Sequence, residues 1–119
     1  MSLADAALVA GGGAAGALLR WAVVAWTAGC GPWPTLAINA AGCLAIGALA
    51  GWPQRPGWAG PLLMAGLCGG FTTYSAYALH ALELWQAERP AAAGAYVALT
   101  VAACLAAVAA GWWLGRRWL

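Results

Sequence analysis

Apolar residues run along this chain in four blocks, each ended by a short cluster of Gly, Pro and charged residues. The first covers residues 3–26 and stops before "TAGCGPW". The second, 34–51, opens on Pro34, a residue suited to a first helical turn because no N–H is needed there. "WPQRPG" separates it from the third block, 58–85, and "QAERPAAAG" leads into an Ala-rich fourth, 92–114, closed by "GRRWL". At about 1.5 Å of rise per residue, each block suffices to cross a hydrocarbon core of roughly 30 Å. The pattern predicts an all-α membrane protein: a single domain over residues 1–119 with four transmembrane helices and short connections.

The third block is interrupted. Residues 69–77 read "GGFTTYSAY", a polar island where a spanning helix would carry Leu, Val and Ala. Adjacent Gly69 and Gly70 disfavour continuous helix, each costing about 1 kcal/mol relative to Ala. Hydroxyls on Thr72 and Thr73 compete for backbone carbonyls. A helix broken at mid-membrane frees carbonyls that suit a cation, and starts a half-helix whose N-terminus suits an anion. The alternative is a kinked helix packed through its glycines. Gly12-x-x-x-Gly16, Gly47-x-x-x-Gly51 and Gly66-x-x-x-Gly70 each place small residues on one face, which allows close helix contact in lipid.

Composition sharpens the picture. The chain is 65% hydrophobic and 7% charged, with mean hydropathy +0.79. A soluble domain is about one-quarter charged, so these residues cannot cover themselves with a solvated surface. A net charge of +2 from five Arg and no Lys is too small and too dispersed for nucleic acid. Cys30, Cys43, Cys68 and Cys104 have no metal or redox spacing and read as small hydrophobes. "MSLADAALVA" lacks a positive n-region, so no cleaved signal peptide is expected. Several of the nine Trp, including Trp26, Trp33, Trp52, Trp85 and Trp118, fall near block ends and fit interfacial belts.

With four spans, both termini share a side with Arg55, Arg116 and Arg117; Arg89 lies opposite, and Arg20 nears the end of the first helix. That asymmetry is weak by the positive-inside rule. It leaves two arrangements open: one orientation with the termini inside, or both orientations, with opposite copies paired as an antiparallel dimer.

The candidate chemistry lies in few residues: Arg20, Asn39, Thr72, Thr73, Tyr74, Ser75, Tyr77, His80, Glu83, Tyr96 and Thr100. Intramembrane polar groups face a partner or a wet path. Asn39 offers donors to an anion and an acceptor to a neighbouring helix. Arg20 either snorkels to the interface or joins a vestibule or helix contact. His80 reads as a packed or interfacial histidine. No nucleophile–base pair or metal cluster points to an enzyme. A small multidrug exporter shares this size but depends on a glutamate in its first helix, where this chain has none after Asp5. A non-conducting subunit packed through glycine faces is the other rival.

The segments "GGGAAGALLRW", "PTLAINAAG" and "GLCGGFTTYSAY", in that order, resemble the CrcB/Fluc fluoride channels along essentially the full chain. The resemblance implies an antiparallel, dual-topology homodimer in the bacterial inner membrane, with a paralogous subunit as the other pairing. It implies passive fluoride export through two pores, and a structural sodium ion (Na+) at the dimer centre. The positions matching the family's sodium ligands are the backbone carbonyls of Gly69 and Thr72. Asn39, Tyr74, Ser75, Tyr77, Tyr96 and Thr100 match its fluoride pathway, and Arg20 its vestibule. The family's two phenylalanines are here Tyr74 and Tyr77, its intervening threonine is Ala76, and His80 stands where many members have glutamate.

Overall fold

The computed structural model describes residues 2–119. Helix α1 (Leu3–Trp26) starts at a capping box, in which the Ser2 hydroxyl accepts from the Asp5 N–H and the Asp5 carboxylate accepts from the Ser2 N–H, both at 3.0 Å. Gly29 and Gly31, at φ +90° and +63°, turn the chain into α2 (Trp33–Gly51), whose first turn carries Pro34. The third span is composite. It comprises a wide-wound π-helical segment, π1 (Gly60–Cys68), one α-helical turn, α3 (Gly69–Phe71), and after a break α4 (Tyr74–Gln86). The fourth span, α5 (Pro90–Trp118), begins on Pro90 and ends with Arg116 and Arg117 in its last turn.

Among the described residues four helices are long and apolar enough to span a membrane, the third one broken. The first has the expected limits. The fourth is longer at both ends than 92–114, its 29 residues rising about 43 Å. Its excess accommodates tilt and reaches the headgroup level, where Arg116 and Arg117 lie over the Trp112 and Trp113 rings at 4.8 and 5.2 Å.

The four spans associate as two tight pairs, and glycine explains both. α1 lies against π1 and α3; a methyl group on Gly12, Gly16 or Gly70 would strike backbone atoms of the opposing helix. α2 lies against α5, where Gly47 and Gly51 meet the backbone at Val108 and Trp112 while Gly111 and Gly115 meet Leu44 and Ala48. All three Gly-x-x-x-Gly motifs therefore serve contacts within the chain. Gly111-x-x-x-Gly115, overlooked in the sequence, completes the second seam.

The break lies two residues beyond the glycine pair. Gly69 and Gly70 remain helical, whereas Thr72 (φ −78°, ψ 159°) and Thr73 (φ −151°, ψ 115°) are extended. The physical reason is competition. Gly70 is held in the helix by its close approach to Gly13, while the threonine backbone finds better partners outside the helix. The break also changes neighbours: before it the third span packs on α1, after it α4 packs on α5.

Candidate functional site

Asn39 organises the break. Its side-chain amide pairs with the Thr73 backbone in both directions: Nδ2 donates to the Thr73 carbonyl at 2.9 Å, and Oδ1 accepts the Thr73 N–H at 2.8 Å. One side chain thereby supplies the acceptor that the Thr73 N–H loses at the break and adds a donor to the carbonyl that opens α4. Gly42, three residues further along α2, leaves room for the Thr72 methyl group. The Thr72 hydroxyl bonds the Cys68 carbonyl at 2.9 Å, and the Thr73 hydroxyl caps α4 by accepting the Ala76 N–H at 3.2 Å.

These bonds decide which carbonyls are released. In an unbroken helix the Thr73 N–H would serve Gly69 and the Ala76 N–H would serve Thr72. Asn39 takes the first donor and the Thr73 hydroxyl takes the second. Gly69 and Thr72 are left with carbonyls that have lost their helical donors. The Gly70 carbonyl is different: the Arg20 Nε reaches across from α1 to donate to it at 3.2 Å. Arg20 thus makes a helix contact at the break instead of extending to the interface. Among the described residues no cluster of His, Cys, Asp or Glu is arranged to hold a metal.

Next to the break opens a cleft of about 420 Å³, bordered by α2, the break, α4 and α5. Asn39, Gly69, Thr72, Tyr74, Tyr77 and Thr100 all line it, with Cys43, Cys68 and Cys104 contributing wall. Ser75 sits beside it, exposed, with its hydroxyl 3.1 Å from that of Thr73. Tyr74 is 79% exposed, whereas Tyr77 is buried and its hydroxyl points to the Val97 carbonyl at 3.5 Å, the limit of a hydrogen bond.

Behind the cleft the aromatic rings form a ladder. Tyr74 and Tyr77 have centroids 5.5 Å apart, Tyr77 and Tyr96 5.6 Å, and His80 meets Tyr96 edge-on at 6.5 Å. Tyr96 also borders a smaller cleft of about 240 Å³ near Trp33 and Arg89. The Tyr96 and Thr100 hydroxyls are buried with no hydrogen-bond partner among the described residues, a costly state unless water or an ion satisfies them. His80 is a helix-bridging residue, bonded to Glu83 and to Thr35. Thr35 was missed in the sequence. The signal was its position four residues before Asn39, on the same face of α2.

The arrangement offers two chemistries side by side: released carbonyls for a cation, and hydroxyls, an amide and ring edges for a small anion. Asp5 is committed to the cap of α1, and among the described residues no carboxylate lines the cleft.

Comparison with known proteins agrees in scope. The family model described as CrcB-like protein, Camphor Resistance (CrcB), matches residues 7–112. The fluoride-specific ion channel FluC of Rhizobium johnstonii is 42% identical over 115 residues, covering 90% of this chain and 92% of that one. FluC of Paracoccus denitrificans is 46% identical over 87 residues, covering 71% and 70%. FluC of Erythrobacter litoralis is 40% identical over 122 residues, covering 91% and 89%.

Proposed function

The chain belongs to the CrcB family, and from that premise and the geometry of the break we infer that it is a fluoride-specific ion channel. It is a multi-pass protein of the inner membrane and not an enzyme. The observation that carries the reading is the helix break beside the cleft, where Asn39 pins the Thr73 backbone and a few polar groups border an otherwise apolar wall.

The chemistry follows from fluoride's size. A small anion holds its water strongly, so a path must offer several donors at close range. Asn39 uses one amide N–H on Thr73 and keeps the second. Ser75 and Thr100 add donors, and the positive edges of Tyr74 and Tyr77 add a weaker attraction. The first N–H groups of α4 point back into the break and favour negative charge there. Chloride, larger and less strongly attracted at each point, is excluded by fit. Hydrogen fluoride crosses membranes as a neutral acid and dissociates inside; trapped fluoride then leaves down its gradient.

The pairing of two antiparallel copies is part of this proposal. Gly69, Tyr74 and Ser75 are exposed on a single chain. Released carbonyls and hydroxyls cannot face lipid tails, so a second protein surface is needed there. Two copies would bring the Gly69 and Thr72 carbonyls of both break regions together, a hard oxygen set suited to a sodium ion. When bound, that ion would supply the positive charge that ties the two breaks. Arg20 would hold the neighbouring Gly70 carbonyl in place at the edge of the vestibule.

Liposomes containing the purified protein test the reading. Fluoride-loaded vesicles should empty within seconds of releasing the electrical restraint with valinomycin, while chloride-loaded vesicles stay full. Vesicles that retain fluoride, or that lose both anions equally, would overturn it. Replacing sodium by N-methylglucamine should weaken the dimer and lower flux; unchanged dimer and flux would remove the ion from the proposal.

A further inference from the structure

We propose that the Cys43 and Cys104 thiols form a binding site for a soft divalent metal ion, mercury(II) in character, in the wall of the larger cleft, and that its occupation stops fluoride flux. The site stands on the placement of the two thiols. Only its effect on flux rests on the fluoride reading above.

The seam between α2 and α5 sets that placement. As the second and fourth of four spans, the two helices run in the same direction. Gly47 meets the Val108 backbone and, one turn on, Gly51 meets that of Trp112. The same register, continued one turn towards the start of each helix, sets Cys43 opposite Cys104. Both residues line the cleft, and their thiols are close enough to interact. No disulfide joins them. Cys68 lines the same cleft from the third span, whereas Cys30 is exposed in the turn between α1 and α2.

Ligand number and charge then select the ion. Zinc takes four protein ligands in a structural site, and among the described residues no group of three or more His, Cys, Asp or Glu could form one. Thiolates favour soft metals, and those with a filled d shell accept two sulfurs in line. A monovalent soft ion would leave a net negative charge on the pair, beside Ile46, Val101 and Leu105, where an unpaired charge is costly. A divalent ion leaves a neutral complex. Both S–H bonds break, two metal–sulfur bonds form, two protons leave to water, and no oxidation state changes. The bound metal would lie one turn from Asn39 on α2 and one turn from Thr100 on α5, beside the polar groups that border the ion path.

The test uses the full chain carrying Cys30→Ser, which removes the exposed thiol. Titration with a mercury(II) salt in detergent, against a competing monothiol, should raise the ultraviolet sulfur-to-mercury charge-transfer band to saturation at one metal per chain. About two protons should be released for each metal bound. Adding Cys43→Ser or Cys104→Ser should each weaken binding by at least about 100-fold, because the second thiolate no longer closes the chelate. Cys43→Ala and Cys104→Ala serve where a serine variant does not fold. Cys68→Ser should leave binding unchanged. In liposomes the metal should abolish fluoride efflux, a dithiol should restore it, and the pair variants, each scaled to its own untreated flux, should resist. Binding that survives loss of either thiol, or that requires Cys68, overturns the site. Metal held by the pair with efflux undiminished overturns the block. Vesicles that never release fluoride, while the pair still binds metal, overturn the channel reading and uphold the site.

Discussion

Asn39 occupies a position where a carboxylate would be isosteric but wrong. The Thr73 N–H needs an acceptor and the Thr73 carbonyl needs a donor, and only a side-chain amide supplies both from one residue. Asn39→Ala leaves the Thr73 N–H unpaired in a water-poor setting and should cost about 1–3 kcal/mol of stability, read as a lower melting temperature in detergent. Asn39→Asp keeps the acceptor, loses the donor and adds a negative charge beside the cleft; it should abolish fluoride flux even where the protein still folds. A second prediction concerns the tyrosines. The Tyr77 hydroxyl meets Val97 only at 3.5 Å and Tyr74 is mostly exposed, so neither hydroxyl anchors the fold. Tyr74→Phe and Tyr77→Phe should each change stability by less than about 0.5 kcal/mol, the ordinary range for substitutions away from a critical contact. Their fluoride flux should stay within severalfold of wild type, because the ring edges persist. A collapse of flux in either variant would show that the hydroxyl itself faces the ion.

At the scale of elements, the two glycine seams make the pairs α1 with π1–α3 and α2 with α5 close enough to hold without a hydrophobic drive. Gly12→Ala and Gly111→Ala place a methyl against opposing backbone and should each destabilise by about 1–3 kcal/mol, measured by thermal unfolding in detergent. Gly94→Ala, in open space on α5, should stabilise by about 0.5–1 kcal/mol. Equal effects at all three sites would refute the seams. These elements also delimit what was legible beforehand. Block lengths and Gly/Pro breaks sufficed for the four spans, because burial in lipid imposes one rule on every residue. The break was legible in kind but not in place: Gly69-Gly70 carry the local breaking tendency, yet the turn comes at Thr72-Thr73 because Asn39, thirty-four residues away in sequence, supplies the partners. The pairing of helices and the His80–Thr35 contact were hidden for the same reason. Both depend on which helix lies beside which, and in a chain this rich in glycine and alanine many faces are equally able to pack.

At the scale of the whole molecule, the surface beside the break is one a single chain leaves open, so under the proposed antiparallel pairing orientation in the membrane becomes a functional variable. Two copies can present the break to each other in antiparallel fashion only if the membrane holds both orientations. The charges permit this: Arg55, Arg116 and Arg117 lie with the termini, and Arg89 counters them from the other side. Part of the first group is also occupied, since Arg55 bonds the Leu49 and Ala50 carbonyls at the end of α2, and Arg116 and Arg117 rest on tryptophan rings. The chain carries its own reporter. Cys30 is exposed in the turn between α1 and α2, on the side opposite the termini, whereas the other three cysteines are partly or fully buried. A membrane-impermeant maleimide applied to intact cells should therefore label about half of the Cys30 population, and permeabilisation should release the rest, if both orientations insert from so weak a bias. Complete or absent labelling before permeabilisation would mean one fixed orientation and would exclude an antiparallel homodimer. Adding two lysines to the 27–32 turn should then drive labelling towards zero and suppress flux, because one orientation alone cannot complete the proposed antiparallel pair. Co-expression with a copy biased the opposite way should restore flux, and failure of that rescue would place the defect in the turn itself and not in orientation.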